Sequence, residues 1–172
     1  MLHVCPLSRV PDTVERTGAR RLVTLINTGT PVARPASITE ADHLYLGMND
    51  IVAPVQGLIA PGAEHIERLL DFVSRHGRDE PLVIHCWAGI SRSTAAAFIA
   101  ACHLAPERNE LDIARALRAR SATATPNLRL VEIADKSLQR GGRMVKAIQS
   151  IGRGRDAFEG EPFHLPLGAE AP

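Results

Sequence analysis

The sequence predicts an α/β protein in which a central, mostly parallel sheet of about four to five strands is flanked by helices. Short segments rich in valine, leucine and isoleucine alternate with longer segments that carry apolar residues at three- and four-residue steps, and the links between them are mostly short. The chain has 172 residues, which suits one compact domain. Its 45% hydrophobic and 23% charged residues are ordinary for a globular protein and exclude wholesale disorder.

The predicted strands are short and apolar. The clearest is residues 21–27 (RLVTLIN), because valine, leucine and isoleucine run up to the turn-forming pair Thr28-Gly29. Such a segment is typical of a strand buried inside a sheet. The other predicted strands are residues 2–4, 43–46 and 82–85.

The predicted helices follow from the spacing of apolar residues and from end signals. Residues 61–77 carry apolar residues at three- and four-residue steps, which gives one buried stripe. Residues 92–105 are apolar nearly all round, so we expect a helix that is buried on most faces. The remaining predicted helices are residues 10–17, 107–120 and 127–151, the last broken at Gly141-Gly142.

The end of the chain predicts less structure. Residues 152–172 combine glycine, proline and acidic residues with little period, so we expect a poorly ordered tail after a domain of residues 1–151. No stretch approaches the roughly 18 consecutive apolar residues of a membrane span, and the start of the chain lacks the pattern of a signal peptide. The sequence therefore predicts a cytoplasmic protein without a membrane partner, and it leaves the oligomeric state open.

Charge is balanced overall but uneven along the chain. The net charge of +1 makes no electrostatic case for binding nucleic acid. Residues 107–155 nevertheless carry 11 basic and 5 acidic side chains. These are either solvated helix faces or a positive rim that attracts an anionic substrate. The preference for arginine, 18 against 2 lysines, together with the alanine-rich helices, is typical of a GC-rich bacterial genome.

The three cysteines have different expected roles. Cys5, Cys86 and Cys102 form an odd set without metal-ligand spacing, which predicts neither a disulfide framework nor a metal site. Cys102 lies inside the apolar helix and is expected in the core. Cys5 either packs behind the first strand or acts as a redox partner of Cys86. Cys86 is either an inert buried thiol or a nucleophile, and the surrounding sequence favours a nucleophile.

The segment around Cys86 predicts a site for an anion. The apolar strand at 82–85 delivers Cys86 to its carboxyl end, and five residues later Arg92 opens the buried helix. In an open α/β sheet, ligands bind at such strand ends. A loop of this length can point successive N–H groups toward one centre, and the helix N-terminus adds partial positive charge. The expected binding groups are the backbone N–H groups of Trp87, Ala88, Gly89, Ile90, Ser91 and Arg92.

The same loop favours sulfur chemistry. Thiols at helix N-termini or beside cations ionise more readily than free thiols, so we expect Cys86 to be a thiolate at neutral pH. Ser93 can donate a hydroxyl hydrogen bond to that sulfur, and His85 can hold the loop backbone from behind. Arg92 offers a planar fork that matches two phosphate oxygens. Gly89 allows a backbone turn that a Cβ disfavours. This set predicts attack of sulfur on phosphorus, followed by hydrolysis of a cysteinyl-phosphate.

The motif resembles a known signature. His85-Cys86, five residues and then Arg92-Ser93 is similar to the H-C-x5-R-[S/T] motif of the cysteine-dependent protein tyrosine phosphatases, and CWAGISRS is closest to their dual-specificity branch. The resemblance implies the fold of that branch and no cofactor. It also implies hydrolysis of phosphotyrosine, with phosphoserine and phosphothreonine as further substrates, in phosphorylated proteins or small phosphomonoesters.

Two features outside the motif extend the resemblance. Asp50 lies 36 residues before Cys86, on a loop at residues 47–61 that holds two prolines and two glycines. The resemblance implies that Asp50 is the general acid and then the base, with Asp42 as the alternative. Thr125-Pro126-Asn127 is similar to the segment that packs behind the phosphate loop in dual-specificity enzymes.

Two other functions remain open. Rhodanese-like domains also present a cysteine on an anion-binding loop after a strand, so sulfur transfer or arsenate reduction is one alternative. The Ser93 hydroxyl and the loop carrying Asp50 argue against it. A catalytically silent phosphopeptide-binding module is the other, although this chain keeps both Cys86 and Arg92. The loop has no lysine at positions 87–91, unlike phosphoinositide phosphatases of the superfamily, which disfavours a lipid substrate.

Overall fold

The computed structural model describes residues 1–75 and 77–168, and over these ranges the chain forms five strands and six α-helices. The strands are β1 (Leu2–Pro6), β2 (Arg21–Ile26), β3 (His43–Gly47), β4 (Leu82–Cys86) and β5 (Phe163–Leu165). The helices are α1 (Val10–Thr17), α2 (Ala63–Ser74), α3 (Arg92–Leu104), α4 (Glu110–Arg120), α5 (Leu128–Ser137) and α6 (Arg143–Ile151). The predicted α/β class is confirmed.

The sheet brings the carboxyl ends of four strands to one edge. Its strand order is β3-β2-β4-β1-β5, in which the first four strands are parallel and β5 is antiparallel to β1. The register sets Pro6 opposite Cys86 and Ile26 opposite Gly47. The loops that follow β1, β2, β3 and β4 therefore meet at the same edge of the sheet, where open α/β folds bind ligands.

Helix α3 forms the centre of the core. From Arg92 to Cys102 each of its residues is buried, and the helix packs against β1, β2, β4, α2, α4 and α5. Its alanines allow that close approach on several sides at once, because they add little bulk around the helix axis. Burial of α3 fixes the direction of its first turn, so the position of Arg92 is set by the core.

The C-terminal prediction is wrong for residues 152–168. These residues do not form a poorly ordered tail, because β5 pairs with β1 and sets Leu165 opposite Leu2 and Phe163 opposite Val4. Leu165 is fully buried. The sequence signal is weak because the strand has three residues between two prolines, too few to show a period. The domain therefore extends past residue 151, and residues 169–172 lie outside the described residues.

Several arginines of the basic segment 107–155 hold parts of the fold together. Glu110 is buried and accepts hydrogen bonds from Arg140 Nη1 at 3.2 Å and Arg143 Nε at 3.1 Å. Arg118 donates to backbone carbonyls at 121, 122, 151 and 152, and Arg108 donates to the carbonyl of residue 166. Among the described helices, none is long and apolar enough to cross a membrane.

Candidate active site

Cys86 ends β4, at the carboxyl edge of the sheet, and its side chain faces the loop that follows. The residue is 2% exposed. Its Sγ lies 3.1 Å from the Ser93 hydroxyl oxygen and accepts a hydrogen bond from the Gly89 N–H at 3.3 Å. The structure therefore places Ser93 against the sulfur, as the sequence predicts.

The loop between Cys86 and Arg92 turns its carbonyls outward. Four of them accept backbone N–H bonds from the surrounding protein, at 2.8–3.3 Å. The carbonyl–donor pairs are Trp87–Leu7, Ala88–Gly160, Ile90–Thr125 and Ser91–Asn127. In a planar trans peptide the N–H points opposite to the carbonyl. The N–H groups of Ala88, Gly89, Ser91 and Arg92 therefore face the concave side of the loop.

Gly89 is required by its surroundings. Its φ is +72°, in the left-handed region, and a Cβ there would lie 2.7 Å from the backbone nitrogen of Pro6 and 2.9 Å from the carbonyl carbon of Cys5. Any side chain would push the loop away from the end of β1. The close approach of loop and strand brings the Gly89 N–H to the sulfur.

Arg92 is buried and held from behind. Its Nη1 donates to the side-chain oxygen of Asn27 at 2.8 Å and to the carbonyl of Met48 at 2.7 Å, two residues that directly follow β2 and β3. The residue is 5% exposed, and its Nε, also buried, has no hydrogen-bond partner among the described residues. An unpaired N–H on a buried guanidinium is costly, so this atom is suited to receive an anion.

Asp50 lies beside the loop, on the segment that follows β3. One carboxylate oxygen accepts hydrogen bonds from the Ser91 hydroxyl at 2.8 Å and from Asn127 Nδ2 at 2.7 Å. The other lies 4.0 Å from Arg92 Nε. The side chain is 37% exposed, so a solvent path to the carboxylate remains open. The structure therefore brings Asp50 together with Arg92 and the loop.

Asp42 is placed elsewhere. It immediately precedes β3, whereas the loop around Cys86 lies at the carboxyl ends of the strands. Its carboxylate accepts a hydrogen bond from Thr39 at 2.7 Å and lies 3.7 Å from Arg21 Nε. A residue at the amino end of a parallel strand cannot reach the opposite edge, so Asp42 is not brought to the candidate site.

Asn127 and Asn27 belong to the site, although the sequence indicates neither strongly. Asn127 caps α5 by accepting from the Leu130 N–H at 3.1 Å, while its amide donates to Asp50. Its position confirms that the segment 125–127 packs behind the loop. Asn27 directly follows β2, and that position at a strand end is the signal that could have found it.

His85 holds the end of β4 from the opposite face. Its Nδ1 lies 3.2 Å from the Cys86 carbonyl, and its Nε2 lies 2.7 Å from the Thr24 hydroxyl, which also contacts His43 Nε2 at 2.8 Å. A carbonyl only accepts, so Nδ1 carries the proton and Nε2 accepts from Thr24. Burial lowers the pKa of His85 to about 4, which keeps the ring neutral.

This neutral histidine makes stability depend on pH. The ordinary pKa of the group, 6.5, applies to the unfolded chain, which therefore binds more protons than the folded chain as the pH falls. We expect His85 to remove about 2 kcal/mol from the free energy of unfolding between pH 7 and pH 5. The loss begins near pH 6.5 and levels off below the folded-state pKa of about 4. Urea denaturation at both pH values measures it, and His85→Gln should show a smaller decrease. An equal pH dependence in both proteins would contradict this assignment.

Cys5 and Cys102 are poor nucleophiles. Both are buried, and burial raises the pKa of each thiol to about 12. They therefore remain protonated at neutral pH, and the thiolate is the reactive form of cysteine. Neither side chain is needed to explain the geometry around Cys86.

A cleft opens beside the loop. It has a volume of about 620 Å³ and passes from Asp50 and Ser91 toward Asn127. Most of its lining is apolar, from Ile51, Val52, Ala53, Val55, Pro126 and Leu128. Within the loop, Trp87 is 53% exposed. The site thus combines a loop whose N–H groups face inward with an adjacent apolar cleft.

The sheet order, the strand–loop–helix unit at Cys86 and the surrounding helices make up the fold of the dual-specificity phosphatases. The chain superposes on the PTP-2 phosphatase of Cydia pomonella with a TM-score of 0.61 and 20% identity, covering 78% of this chain and 84% of that one. On human DUSP28 the TM-score is 0.61 and the identity 16%, and the superposition covers 81% of this chain and 94% of that one. On PTPMT1 in complex with PI(5)P the TM-score is 0.52 and the identity 14%, and the superposition covers 84% of this chain and 87% of that one. No family model and no curated protein sequence matches the chain.

Proposed function

We propose that this chain is a protein phosphatase that hydrolyses phosphotyrosine, and also phosphoserine and phosphothreonine, through a cysteinyl-phosphate. The observation that carries the proposal is a loop whose N–H groups face inward, one of them bonded to Cys86 Sγ at 3.3 Å, followed by a buried Arg92. The Nε of Arg92 has no hydrogen-bond partner among the described residues. Phosphate is the anion that suits such a cradle, because it presents several acceptor oxygens to N–H groups arranged around one centre.

In the first step, the substrate phosphate binds between the loop N–H groups and Arg92. The Cys86 thiolate attacks phosphorus, so an S–P bond forms while the P–O bond to the leaving group breaks. Asp50, protonated at this stage, gives its proton to the leaving oxygen. Its hydrogen bonds to Ser91 and Asn127 support this role, because they hold the carboxyl group against the loop.

In the second step, water replaces the alcohol or phenol. Asp50, now ionised, takes a proton from the water, whose oxygen attacks phosphorus as the S–P bond breaks. The electron pair returns to sulfur, and phosphate leaves. The Ser93 hydroxyl, 3.1 Å from Sγ, supports this step because it can donate to the developing thiolate.

The surroundings of the loop favour an aromatic or apolar leaving group. The cleft beside Asp50 is lined mostly by apolar side chains, and the loop itself exposes Trp87. PTPMT1 was crystallised with a phosphoinositide, but the loop of this chain has no lysine at positions 87–91 for the extra phosphates of such a lipid. Sulfur transfer needs no general acid, so the presence of Asp50 beside the loop argues against that alternative.

A substrate comparison tests the proposal. We expect the purified chain to hydrolyse p-nitrophenyl phosphate, and to release phosphate from peptides of one sequence that carry phosphotyrosine, phosphothreonine or phosphoserine, with phosphotyrosine fastest. Phosphatidylinositol phosphates in the same assay, and thiosulfate with cyanide as acceptor, represent the lipid and sulfur-transfer alternatives. Turnover of thiosulfate without phosphate release from any peptide would contradict the proposal, as would phosphopeptide binding without hydrolysis.

A further inference from the structure

The loop carbonyl at Ala88 has a partner unlike those of the other three. The donors to Trp87, Ile90 and Ser91 come from the loop after β1 and from the segment before α5. The Ala88 carbonyl instead accepts from the N–H of Gly160, at 2.8 Å. Gly160 belongs to residues 152–168, here called the C-terminal segment, which the sequence predicted to be poorly ordered.

The Ala88–Gly89 peptide group links this contact to the sulfur. Its carbonyl points outward to Gly160, and its N–H points inward to Cys86 Sγ at 3.3 Å. Because Gly89 has no side chain, its own φ does not restrict this peptide to one orientation. A rotated peptide would turn a carbonyl oxygen toward the bound anion and take away one N–H donor. The hydrogen bond from Gly160 therefore favours the orientation that binds an anion.

The C-terminal segment is anchored on both sides of Gly160. Before it, the Gly154 N–H donates to the Thr125 hydroxyl at 3.0 Å, and the Arg155 N–H donates to the Ala122 carbonyl at 2.8 Å. After it, β5 pairs with β1. Ser8 adds a bond to the Glu159 carboxylate at 2.8 Å. These contacts hold the Gly160 N–H in place rather than leaving it on a free chain end.

The fit against the loop is close. Gly160 is buried, and a Cβ there would lie 3.1 Å from the Gly89 carbonyl oxygen and 3.2 Å from the Thr123 hydroxyl. The backbone of the C-terminal segment thus lies directly against the backbone of the loop. A change in this segment is transmitted to the loop because no side chain lies between them.

We propose that Gly160 is a positioning residue, through which the C-terminal segment holds the Ala88–Gly89 peptide with its N–H toward the sulfur and the bound phosphate. The inference rests on the proposed function, since it concerns the same loop. Under this proposal, residues after 151 help to form the site, in addition to adding a strand to the edge of the sheet.

The variant Gly160→Pro tests this role, because it removes the N–H and places the proline ring against the Ala88 carbonyl. We expect kcat/KM for p-nitrophenyl phosphate to fall about tenfold, and the Kd for tungstate to rise by a similar factor, the scale of one hydrogen bond to a charged group. The alkylation of Cys86 by iodoacetamide should also shift to higher pH, because the sulfur loses a donor. A merely structural role for Gly160 would not move that profile.

Ala157→Pro is the matched control, because it places a proline at an exposed position three residues earlier in the same segment. We expect it to leave all three measurements unchanged. If Gly160→Pro is folded by circular dichroism and matches the wild type in all three, the proposal is overturned. If it does not fold, the same three measurements are made with glycolic acid in place of Gly160, because the ester removes the N–H without adding an atom.

The outcomes separate this proposal from the proposed function. If the wild type binds tungstate but hydrolyses no phosphomonoester, the proposed function fails, and the positioning role is judged on tungstate affinity and alkylation alone. If Cys86→Ser is inactive and Gly160→Pro is fully active, the proposed function stands and the positioning role fails.

Discussion

Replacing Cys86 by serine should reduce hydrolysis of p-nitrophenyl phosphate by about 10⁴-fold or more, the scale on which losing the nucleophile costs a covalent mechanism. A serine hydroxyl stays protonated near neutral pH and is a weak nucleophile without an adjacent base. The loop N–H groups and Arg92 remain in place, so the variant should still bind tungstate. Steady-state kinetics and isothermal titration calorimetry measure the two properties.

Cys102→Ala is the control for that variant, because Cys102 is equally buried but lies in the interior of α3. Its activity should stay near that of the wild type at temperatures where both proteins are folded. Rapid acid quench of the wild type should also trap phosphate on Cys86. Hydrolysis by Cys86→Ser at the wild-type rate would show that sulfur does not attack phosphorus.

Replacing Asp50 by asparagine should lower kcat by about 10²–10⁴-fold, the usual range for the loss of a general acid. The amide cannot give up a proton to the leaving oxygen, although it keeps nearly the same size beside Ser91 and Asn127. The decrease should be largest for alkyl phosphates and phosphotyrosine, and smaller for p-nitrophenyl phosphate, whose leaving group needs less protonation. A series of aryl phosphates measured by kcat gives this dependence.

Asp42→Asn is the matched control, since it makes the same change in a carboxylate at the opposite edge of the sheet. It should leave kcat unchanged. The acid role of Asp50 is refuted if Asp50→Asn turns over every substrate at nearly the wild-type rate, or if Asp42→Asn shows the larger decrease. An equal decrease for good and poor leaving groups would indicate that Asp50 acts only by holding the loop.

Much of the fold is readable from local patterns. The strands at 21–26 and 82–86 and the buried helix α3 were predictable because each has a continuous apolar composition over its length. The break at Gly141-Gly142 was predictable for a similar reason, since two glycines interrupt a helical period and the structure ends α5 and begins α6 around them. Strand β5 was not, because three residues between prolines carry no period.

Some residues of the candidate site were likewise predictable from the sequence, and others were not. Cys86, Arg92 and Ser93 are close in sequence, so a strand followed by a short loop and a helix is enough to bring them together. The choice between Asp50 and Asp42 depended on which end of β3 meets the loop, and that is a property of the parallel sheet. The roles of Asn27, Asn127 and Gly160 depend on contacts across 65, 77 and 72 residues of chain respectively.

The sequence by itself determined the α/β class, the buried helix and the strand–loop–helix unit at Cys86, because short-range periodicity and one contiguous motif specify them. Only the tertiary structure decided which aspartate reaches the loop, what holds Arg92 from behind, and that the C-terminal segment packs against the Ala88–Gly89 peptide. The physical reason is that these contacts are made by backbone carbonyls, N–H groups and single polar side chains. Strand order and close packing determine the partners of these groups, and no local pattern of residues indicates which partners they have.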